Sequence, residues 1–252
     1  MGKVSVTIIV LNEEHNLPDC LESVRWADEV IVSDTGSTDA TAEICRAYGA
    51  KVYSDSWLGF GAQKNLCADR ARNAWVLNLD ADERVTPELK DEIINAASND
   101  AKAGYFIARK NYFGSRWIRR CGWYPDYNLR LYRKDKGRFS DRHVHEAVSV
   151  SGPTGRLAGP MIHQTYKDVS DYLARMQRYS TLAAQEMLKE GRRAGVSDLL
   201  LRPPFTFLKM YVLRGGFLEG TNGMILSYLY ASYTLAKYAK LWELRRGVCK
   251  GL

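Results

Sequence analysis

The sequence predicts an α/β fold with a mixed, mainly parallel sheet flanked by helices, followed by a C-terminal helical extension. Two observations lead to this prediction. Short β-branched runs alternate with helical patterns through the first hundred residues, which is typical of βαβ units. From Asp168 onward the pattern is helical, with expected interruptions at residues 202–204 and 215–216. A chain of 252 residues can bury a sizeable core in one or two domains.

The first half of the sequence predicts four strands and four helices in alternation. The run VSVTIIVL is β-branched throughout, as expected for a strand buried on both faces. Thr38 or Asp39 can cap the second helix, and Pro87 suits the first turn of the fourth. The predicted strands are residues 4–11, 29–33, 51–53 and 74–79. The predicted helices are residues 12–24, 38–48, 61–74 and 87–98.

The pattern changes after residue 104. Further strands are predicted at residues 105–109, 129–132 and 144–150, and aromatic residues are concentrated in the loops between them. We therefore expect one α/β domain over residues 1–166, with halves 1–104 and 105–166, and a helical tail over residues 167–252.

Charge is distributed unevenly along the chain. Residues 1–104 carry 10 Lys and Arg against 18 Asp and Glu, whereas residues 105–166 carry 12 against 4 and residues 167–252 carry 14 against 7. The basic part could meet phosphate, anionic lipid or nucleic acid. No RNP or zinc-knuckle motif is present, so nucleic acid is the least favoured partner.

The cysteines and the N-terminus indicate a cytoplasmic protein. Five cysteines are an odd number and contain no CxxC pair, which argues against a zinc ribbon or a disulfide framework and suits a reducing compartment. The first apolar run leads directly into Asn12 and Glu13 without a small-residue cleavage site, so it predicts a core strand rather than a signal peptide.

Carboxylates follow two of the predicted strands. Asp80-Ala81-Asp82 comes directly after the fourth strand, and two carboxylates two residues apart can share one Mg²⁺ or Mn²⁺ ion. Asp34 follows the second strand and could accept hydrogen bonds from a base or a ribose. A solvated turn is the alternative in both places. Ligands of such sheets bind at the carboxyl ends of the strands, which favours a site there.

Four motifs in order carry a family resemblance. TIIVLNEE, VSDTGSTD, GAQKN and LNLDADE resemble the inverting family 2 glycosyltransferases of the GT-A fold, over residues 1 to about 110. The later RLYRKDKGRF and VHEAV segments and the helical tail are more similar to the bacterial lipopolysaccharide-core glucosyltransferase branch, which adds a sugar to an inner-core heptose. One departure is that Thr35 follows Asp34, where family members often have a second Asp.

The resemblance implies a role for each motif residue. Residues 1–104 become the nucleotide-sugar-binding half and residues 105–166 the acceptor-binding half. Asp34 is expected to bind the base, Lys64 to lie near the base or phosphates, and Asp80 to touch ribose or sugar. Asp82 is expected to hold the Mg²⁺ or Mn²⁺ ion that bridges the diphosphate. The remaining residues expected to line the nucleotide-sugar pocket are Leu11, Asn12, Glu13 and Ala81.

An inverting transfer also needs a base that takes the proton from the acceptor hydroxyl. Family members often have an acidic residue shortly after a phenylalanine-containing loop, and here Glu146 follows Phe139 by seven residues. Glu146 is therefore the first candidate for the base and Asp126 the second. The alternative for Glu146 is a surface strand residue paired with an arginine.

His163 follows an apolar stretch, and a neutral imidazole there could complete the metal shell with Asp82. A hydrogen-bonded core histidine is an equally good interpretation.

The basic second half suggests the acceptor and the location of the enzyme. Aromatic faces stack on sugars and arginines bind phosphates, and a lipopolysaccharide inner core offers both groups. Residues 220–236 contain no charge but are too short and polar for a span, so they predict a helix at the inner face of the membrane. The alternative is a helix packed on the α/β domain or on a second subunit.

The resulting hypothesis is metal-dependent transfer of a hexose, from UDP-glucose, to a lipopolysaccharide-core sugar. The alternatives are another donor or a polyprenyl-phosphate or polysaccharide acceptor, a sugar-phosphate nucleotidyltransferase, or a non-catalytic nucleotide-sugar-binding protein. A nucleotidyltransferase usually has a glycine-rich basic loop after its first strand, where this chain has Asn-Glu-Glu.

Overall fold

The computed structural model describes residues 2–99, 101–140 and 147–247. The strands are β1 (Val4–Val10), β2 (Glu29–Asp34), β3 (Lys51–Ser54), β4 (Trp75–Asp80), β5 (Glu83–Val85), β6 (Gly104–Phe113), β7 (Arg116–Trp117), β8 (Asp126–Arg133), β9 (Gly137–Phe139), β10 (Val148–Val150), β11 (Thr154–Arg156) and β12 (Met161–Tyr166). The α-helices are α1 (Leu17–Ser23), α2 (Thr41–Ala47), α3 (Phe60–Arg70), α4 (Pro87–Ala97), α5 (Val169–Lys189), α6 (Val196–Leu208) and α7 (Thr221–Arg246). A π-helical segment, Lys209–Leu213, and a 3₁₀ turn, Gly216–Glu219, lie between α6 and α7.

The main sheet is mixed. Its strand order is β3-β2-β1-β4-β8-β6-β12-β5. The first four strands in this order run parallel, whereas β8 runs antiparallel to both β4 and β6, and β12 runs antiparallel to β5. The predicted α/β class, with a mixed sheet, flanking helices and C-terminal helices, is confirmed.

Helices cover both faces of the parallel strands. Leu17 of α1 and Ile93 of α4 pack into the same core as Ile8 of β1. On the other face Cys67 of α3 packs with Val76 of β4. Burial on both faces explains why these strands read as continuous apolar runs in the sequence.

Several predicted helices differ from the observed ones: the helix predicted at residues 61–74 ends at Arg70, the one predicted at residues 38–48 begins at Thr41, and two larger differences follow. The first predicted helix begins only at Leu17, because Asn12 adopts a left-handed backbone conformation (φ 54°) and residues 13–16 form a turn. The predicted interruption at the two prolines is wrong, since Pro203 and Pro204 both lie inside α6. Pro203 is buried and α6 packs against α7, so tertiary packing outweighs the lost backbone hydrogen bonds. The predicted break at residues 215–216 is present.

The chain forms two compact units. Unit 1 comprises Met1–Lys110 and Pro125–His163, and unit 2 comprises Asn111–Tyr124 and Gln164–Leu252. Unit 1 contains the parallel strands, and unit 2 contains α5, α6 and α7. Among the described residues, no helix combines the length and the hydropathy that crossing a bilayer requires. The domain division at residue 166 stays a prediction.

Cys20, Cys45, Cys67 and Cys121 are buried free thiols. Burial raises the pKa of Cys45 to about 11 and that of Cys67 to about 12. Since the thiolate is the reactive form, these side chains behave as core residues.

Candidate active site

The strand register brings two predicted site residues to the same edge of the sheet. Asp34 ends β2 and pairs with Val10 of β1, while Asp80 ends β4 and pairs with Ile9 of β1. The two aspartates therefore flank the carboxyl end of β1, and two strand spacings separate their backbones by about 10 Å. This is the edge at which ligands of parallel sheets bind.

Asp34 is buried but keeps one acceptor oxygen available. Its Oδ1 accepts hydrogen bonds from the backbone N–H groups of Gly36 (3.1 Å) and Ser37 (2.8 Å). Among the described residues, no group donates to Oδ2. A carboxylate held by its own turn, with one oxygen left over, can accept an N–H or O–H group from a ligand.

The loop after β1 is tied to the loop after β2. The Asn12 side-chain oxygen accepts the backbone N–H of Thr38 at 2.8 Å, and the Glu13 backbone N–H donates to Thr41 Oγ1 at 2.8 Å. Leu11 leaves the strand with 53% of its surface exposed. These bonds fix Leu11, Asn12 and Glu13 beside Asp34 at the sheet edge.

Asp80 is held between two cations. Lys64 Nζ lies 3.1 Å from Asp80 Oδ1, and Arg130 Nη2 donates to Asp80 Oδ2 at 2.6 Å. Burial alone would raise the pKa of Asp80, but Arg130 and Lys64 outweigh it and hold that pKa well below its usual range. The carboxylate is therefore charged and fixed at physiological pH.

The ion pairs continue beyond Arg130. Arg130 Nη2 also donates to Glu83, which receives Arg109 Nη1 at 3.3 Å. Arg109 in turn donates to Asp126 Oδ2 through Nε (2.9 Å) and Nη2 (2.6 Å). A chain of alternating charges thus runs from Lys64 and Asp80 to Asp126. A cavity of about 280 Å³ opens along it, lined by Lys64, Asp80, Arg109, Asn128, Arg130 and Phe139, among others.

The GAQKN segment lies on α3, and three of its residues serve three different contacts. Buried Gln63 donates to Ser33 Oγ at 2.5 Å and so binds α3 to β2. Lys64 binds Asp80. Asn65 donates to the Phe139 carbonyl at 3.0 Å and accepts its N–H at 2.9 Å. The segment therefore anchors both the end of β4, which carries Asp80, and the end of β9, which carries Phe139.

Asp82 faces His163. His163 Nε2 lies 3.5 Å from Asp82 Oδ2, and about one fifth or less of either side chain is exposed. Among the described residues, no group of three or more His, Cys, Asp or Glu side chains could hold a metal. A carboxylate and an imidazole still fit Mg²⁺ or Mn²⁺, because such ions are commonly bound by one or two protein groups together with waters and substrate phosphates. Ala81, between the aspartates, is buried and offers only its backbone.

The structure describes only one of the two candidates for the base. Glu146 lies outside the described residues. Asp126 begins β8, and its carboxylate oxygens accept hydrogen bonds from Arg109 and from Asn128 Nδ2 (3.1 Å). Both assignments stay predictions.

Sequence reasoning missed Glu83, Arg109 and Arg130. Arg130 is almost fully buried, which is rare for arginine unless it is paired. A signal existed in the strand DYNLRLYR, where polar residues alternate at Asp126, Asn128 and Arg130 and so share one face of β8. The partners of these residues come from distant strands, so their pairing could not be found in the sequence.

The fold is that of the GT-A glycosyltransferases. The chain belongs to glycosyl transferase family 2: the family described as "Glycosyl transferase family 2" matches residues 5–150. The expected family and the GT-A fold are therefore confirmed. This assignment favours a glycosyltransferase over the nucleotidyltransferase and non-catalytic alternatives.

Several relatives resemble the chain over nearly its whole length. A "Lipopolysaccharide core biosynthesis glycosyltransferase LpsC" of Rhizobium meliloti is 30% identical over 95% of this chain and 92% of its own. An uncharacterized glycosyltransferase of Rickettsia typhi is 32% identical over 97% of this chain and 88% of its own. The structure of S. aureus TarS 1-349 in complex with UDP has a TM-score of 0.50 at 16% identity, covering 97% of this chain and 92% of that one.

Proposed function

We propose that the protein transfers glucose from UDP-glucose, with inversion, to an inner-core sugar of lipopolysaccharide, with Mg²⁺ or Mn²⁺ bound. The single observation that carries this proposal is the sheet edge where Asp34 and Asp80 flank β1 and Asp82 faces His163. The relative named for lipopolysaccharide core biosynthesis supports the acceptor class.

In this proposal, Asp34 and the loop after β1 bind the nucleotide of the donor. Asp34 Oδ2 would accept the N–H of the uracil base or a ribose hydroxyl, since its Oδ1 is already satisfied by its own turn. Leu11 would lie against the base. Because Asp80 is fixed by Lys64 and Arg130, it would orient the ribose or the sugar without moving during the reaction.

Asp82 and His163 would hold the metal ion. When bound, the ion supplies positive charge that stabilises the leaving diphosphate. Asp82 would provide the carboxylate ligand, and neutral His163 the imidazole nitrogen.

A base would take the proton from the acceptor hydroxyl as its oxygen attacks the anomeric carbon. Glu146 remains the first candidate and Asp126 the second. In the present arrangement the Asp126 oxygens accept from Arg109 and Asn128, so a base role there would require one of these bonds to open.

The acceptor is proposed to be lipid-linked, which would confine it to the inner face of the cytoplasmic membrane. A polyprenyl-phosphate or a polysaccharide remains the second candidate for the acceptor. The contact predicted for residues 220–236 would keep the enzyme near such a substrate. That segment is part of α7, and its Leu226, Leu229 and Ala231 are buried.

Two measurements test the proposal. A thermal-shift screen of UDP-, GDP-, dTDP- and ADP-sugars with Mn²⁺ should raise the melting temperature most for UDP-glucose. UDP release should then accelerate with a heptosylated lipopolysaccharide acceptor and not with polyprenyl phosphate. Preferential stabilisation by a GDP-sugar, or equal UDP release with and without the heptosylated acceptor, would contradict the assignment.

A further inference from the structure

Unit 2 exposes a row of large apolar side chains along α6 and the two turns after it. Each is between 50% and 75% exposed. We call this row the α6 surface; its members are Leu201, Phe205, Leu208, Val212, Leu213, Phe217 and Leu218. Single exposed apolar residues are ordinary, but several large ones on the same side of one helix and on the turns that follow it indicate an interaction site.

The geometry of α6 explains why the row faces outward. At 100° per residue, Leu201, Phe205 and Leu208 lie within about 60° of one another, on the side away from buried Pro203. Since α6 packs against α7, its partner inside the chain occupies the Pro203 side. Among the described residues of unit 2, no element therefore covers the α6 surface.

A cationic cavity adjoins this surface. It has a volume of about 360 Å³ and shares Phe205 with the α6 surface. Four cations line it together with aromatic and apolar side chains: Arg202, Lys209, Arg214 and Lys237. Such a lining can take a group that is anionic at one end and apolar beside it.

The cations of the cavity are poorly neutralised. Arg202 pairs with Asp198, with 2.5 Å between Nε and Oδ1. For Lys209, Arg214 and Lys237, no carboxylate lies within ion-pair distance among residues 2–99, 101–140 and 147–247. Burial, helped by the charges of Arg192 and Arg202, lowers the pKa of Lys237. A bound anion would relieve this excess of positive charge.

We infer that unit 2 docks on an anionic phospholipid bilayer through the α6 surface, with a lipid phosphate held in the cationic cavity. The side chains of Leu201 and Leu213 enter the acyl boundary, while Lys209 and Arg214 bind headgroup phosphates. The purpose of docking rests on the proposed function, because a lipid-linked acceptor lies in that surface; the docking itself needs neither donor nor acceptor.

Charge decides between this occupant and a second copy of the chain. Residues 167–252 carry 14 Lys and Arg against 7 Asp and Glu, so two copies would bring like charges together. An anionic bilayer offers the opposite charge and an apolar layer beneath it. The α6 surface thus matches a bilayer in both respects.

Vesicle flotation of the full chain tests the inference. Vesicles of phosphatidylcholine alone are compared with vesicles that also contain phosphatidylglycerol. The wild type should bind the anionic vesicles more tightly. Losing a basic residue near the surface costs roughly fivefold, so Lys209→Gln with Arg214→Gln should weaken binding by about 25-fold. Leu201→Gln with Leu213→Gln should weaken it by at least about tenfold.

Matched variants on α5 provide the controls. Arg178→Gln with Lys189→Gln removes the same charge, and Leu182→Gln with Leu188→Gln replaces two exposed leucines. Both controls should stay within about twofold of wild type, because their residues belong neither to the α6 surface nor to the lining of the cationic cavity. All substituted residues are exposed, so circular dichroism and melting temperature should not change.

Three results would overturn the inference. These are equal binding to neutral and anionic vesicles, equal losses for the α5 and α6 variants, and a change of oligomeric state in the Leu201/Leu213 variant with vesicle binding unchanged. The donor thermal shift, measured on the same variants, separates this inference from the proposed function. A normal shift without vesicle binding refutes the docking alone, and vesicle binding without any donor shift refutes the proposed function alone.

Discussion

Unit 1 and unit 2 each contain a cluster of cations, but the two clusters are neutralised differently. In unit 1 Arg130 is almost fully buried and meets Asp80 and Glu83, and Arg109 meets Glu83 and Asp126. In unit 2 the cations beside the α6 surface have one carboxylate, Asp198, within ion-pair distance among the described residues. Ion pairs inside unit 1 fix the positions of the side chains that form them. Cations that have no carboxylate partner can instead attract an anion from outside the protein.

The apolar surfaces differ in the same way. In unit 1 the side chains of β1, β2 and β4 are covered on both faces by helices. Among the described residues of unit 2, nothing covers the outer side of α6. We therefore propose chemistry at the edge of the sheet in unit 1 and attachment through the exposed side of α6 in unit 2.

The largest expected effect is on the chemistry of unit 1. Asp82→Asn removes the carboxylate proposed to hold the metal, so several kcal/mol of charge stabilisation would be lost and transfer should fall by at least about a thousandfold. UDP release in the presence of Mn²⁺ measures this. If Asp82→Asn keeps near-normal turnover that a chelator does not reduce, the proposed metal site at Asp82 is wrong. Glu22→Gln, an exposed change on α1, serves as the control.

The second prediction concerns the base. Glu146→Gln keeps the shape of the side chain but cannot accept a proton, so kcat should fall by about 10²–10⁴ while donor binding stays normal. Single-turnover transfer and the donor thermal shift measure the two quantities separately. An unchanged kcat for Glu146→Gln, together with an inactive Asp126→Asn, would move the role to Asp126.

The third prediction tests whether paired charges hold unit 1 together. Arg130→Met leaves Asp80 and Glu83 without their shared guanidinium, and breaking such a buried pair should cost about 3–5 kcal/mol of unfolding free energy. Arg25→Met, which removes the exposed pair with Glu22, should cost no more than about 1 kcal/mol. Urea unfolding measures both, and equal losses would show that the buried chain of charges is unimportant for stability.

The fourth and smallest effect concerns Glu29, which accepts hydrogen bonds from Ser5 Oγ (2.6 Å), the Arg72 backbone N–H (2.6 Å) and Lys51 Nζ (3.0 Å). Burial would raise the pKa of Glu29, but these donors outweigh it and lower the pKa to about 2 from 4.5. The ionised form is therefore favoured in the folded state. Its stabilisation is present above pH 4.5 and is lost as the pH falls toward 2.

Glu29→Gln should accordingly lower the unfolding free energy at pH 7 by about 3 kcal/mol and flatten its fall between pH 4.5 and 2. Denaturant unfolding at several pH values measures this. If the unfolding free energy of Glu29→Gln falls between pH 4.5 and 2 as steeply as that of the wild type, other groups cause the acid sensitivity.

Sequence reasoning predicted the elements of unit 1 better than their contacts. The strand patterns and the four motifs lie in a continuous stretch of chain, so the carboxyl edge with Asp34, Asp80 and Asp82 could be predicted. Arg130 could not, because its role depends on β8 lying antiparallel beside β4. Local patterns carry no information on such pairing between distant strands.

In the tail, the prolines misled the prediction. Pro203 and Pro204 predict a helix end, yet packing against α7 keeps α6 continuous. The uncharged stretch 220–236 drew attention to α7, although the more exposed apolar residues are on α6. Hydropathy shows that a helix is apolar, but only the packed structure shows which helix keeps its apolar side uncovered.

We propose above that the carboxylate edge of unit 1 performs inverting glucosyl transfer. Its most direct test is to incubate wild type and Asp82→Asn with UDP-glucose, Mn²⁺ and a heptosylated core acceptor, and to determine the anomeric configuration of the product by NMR. We expect a β-glucosyl product from the wild type and none from Asp82→Asn. An α-linked product, or equal product from both proteins, would contradict it.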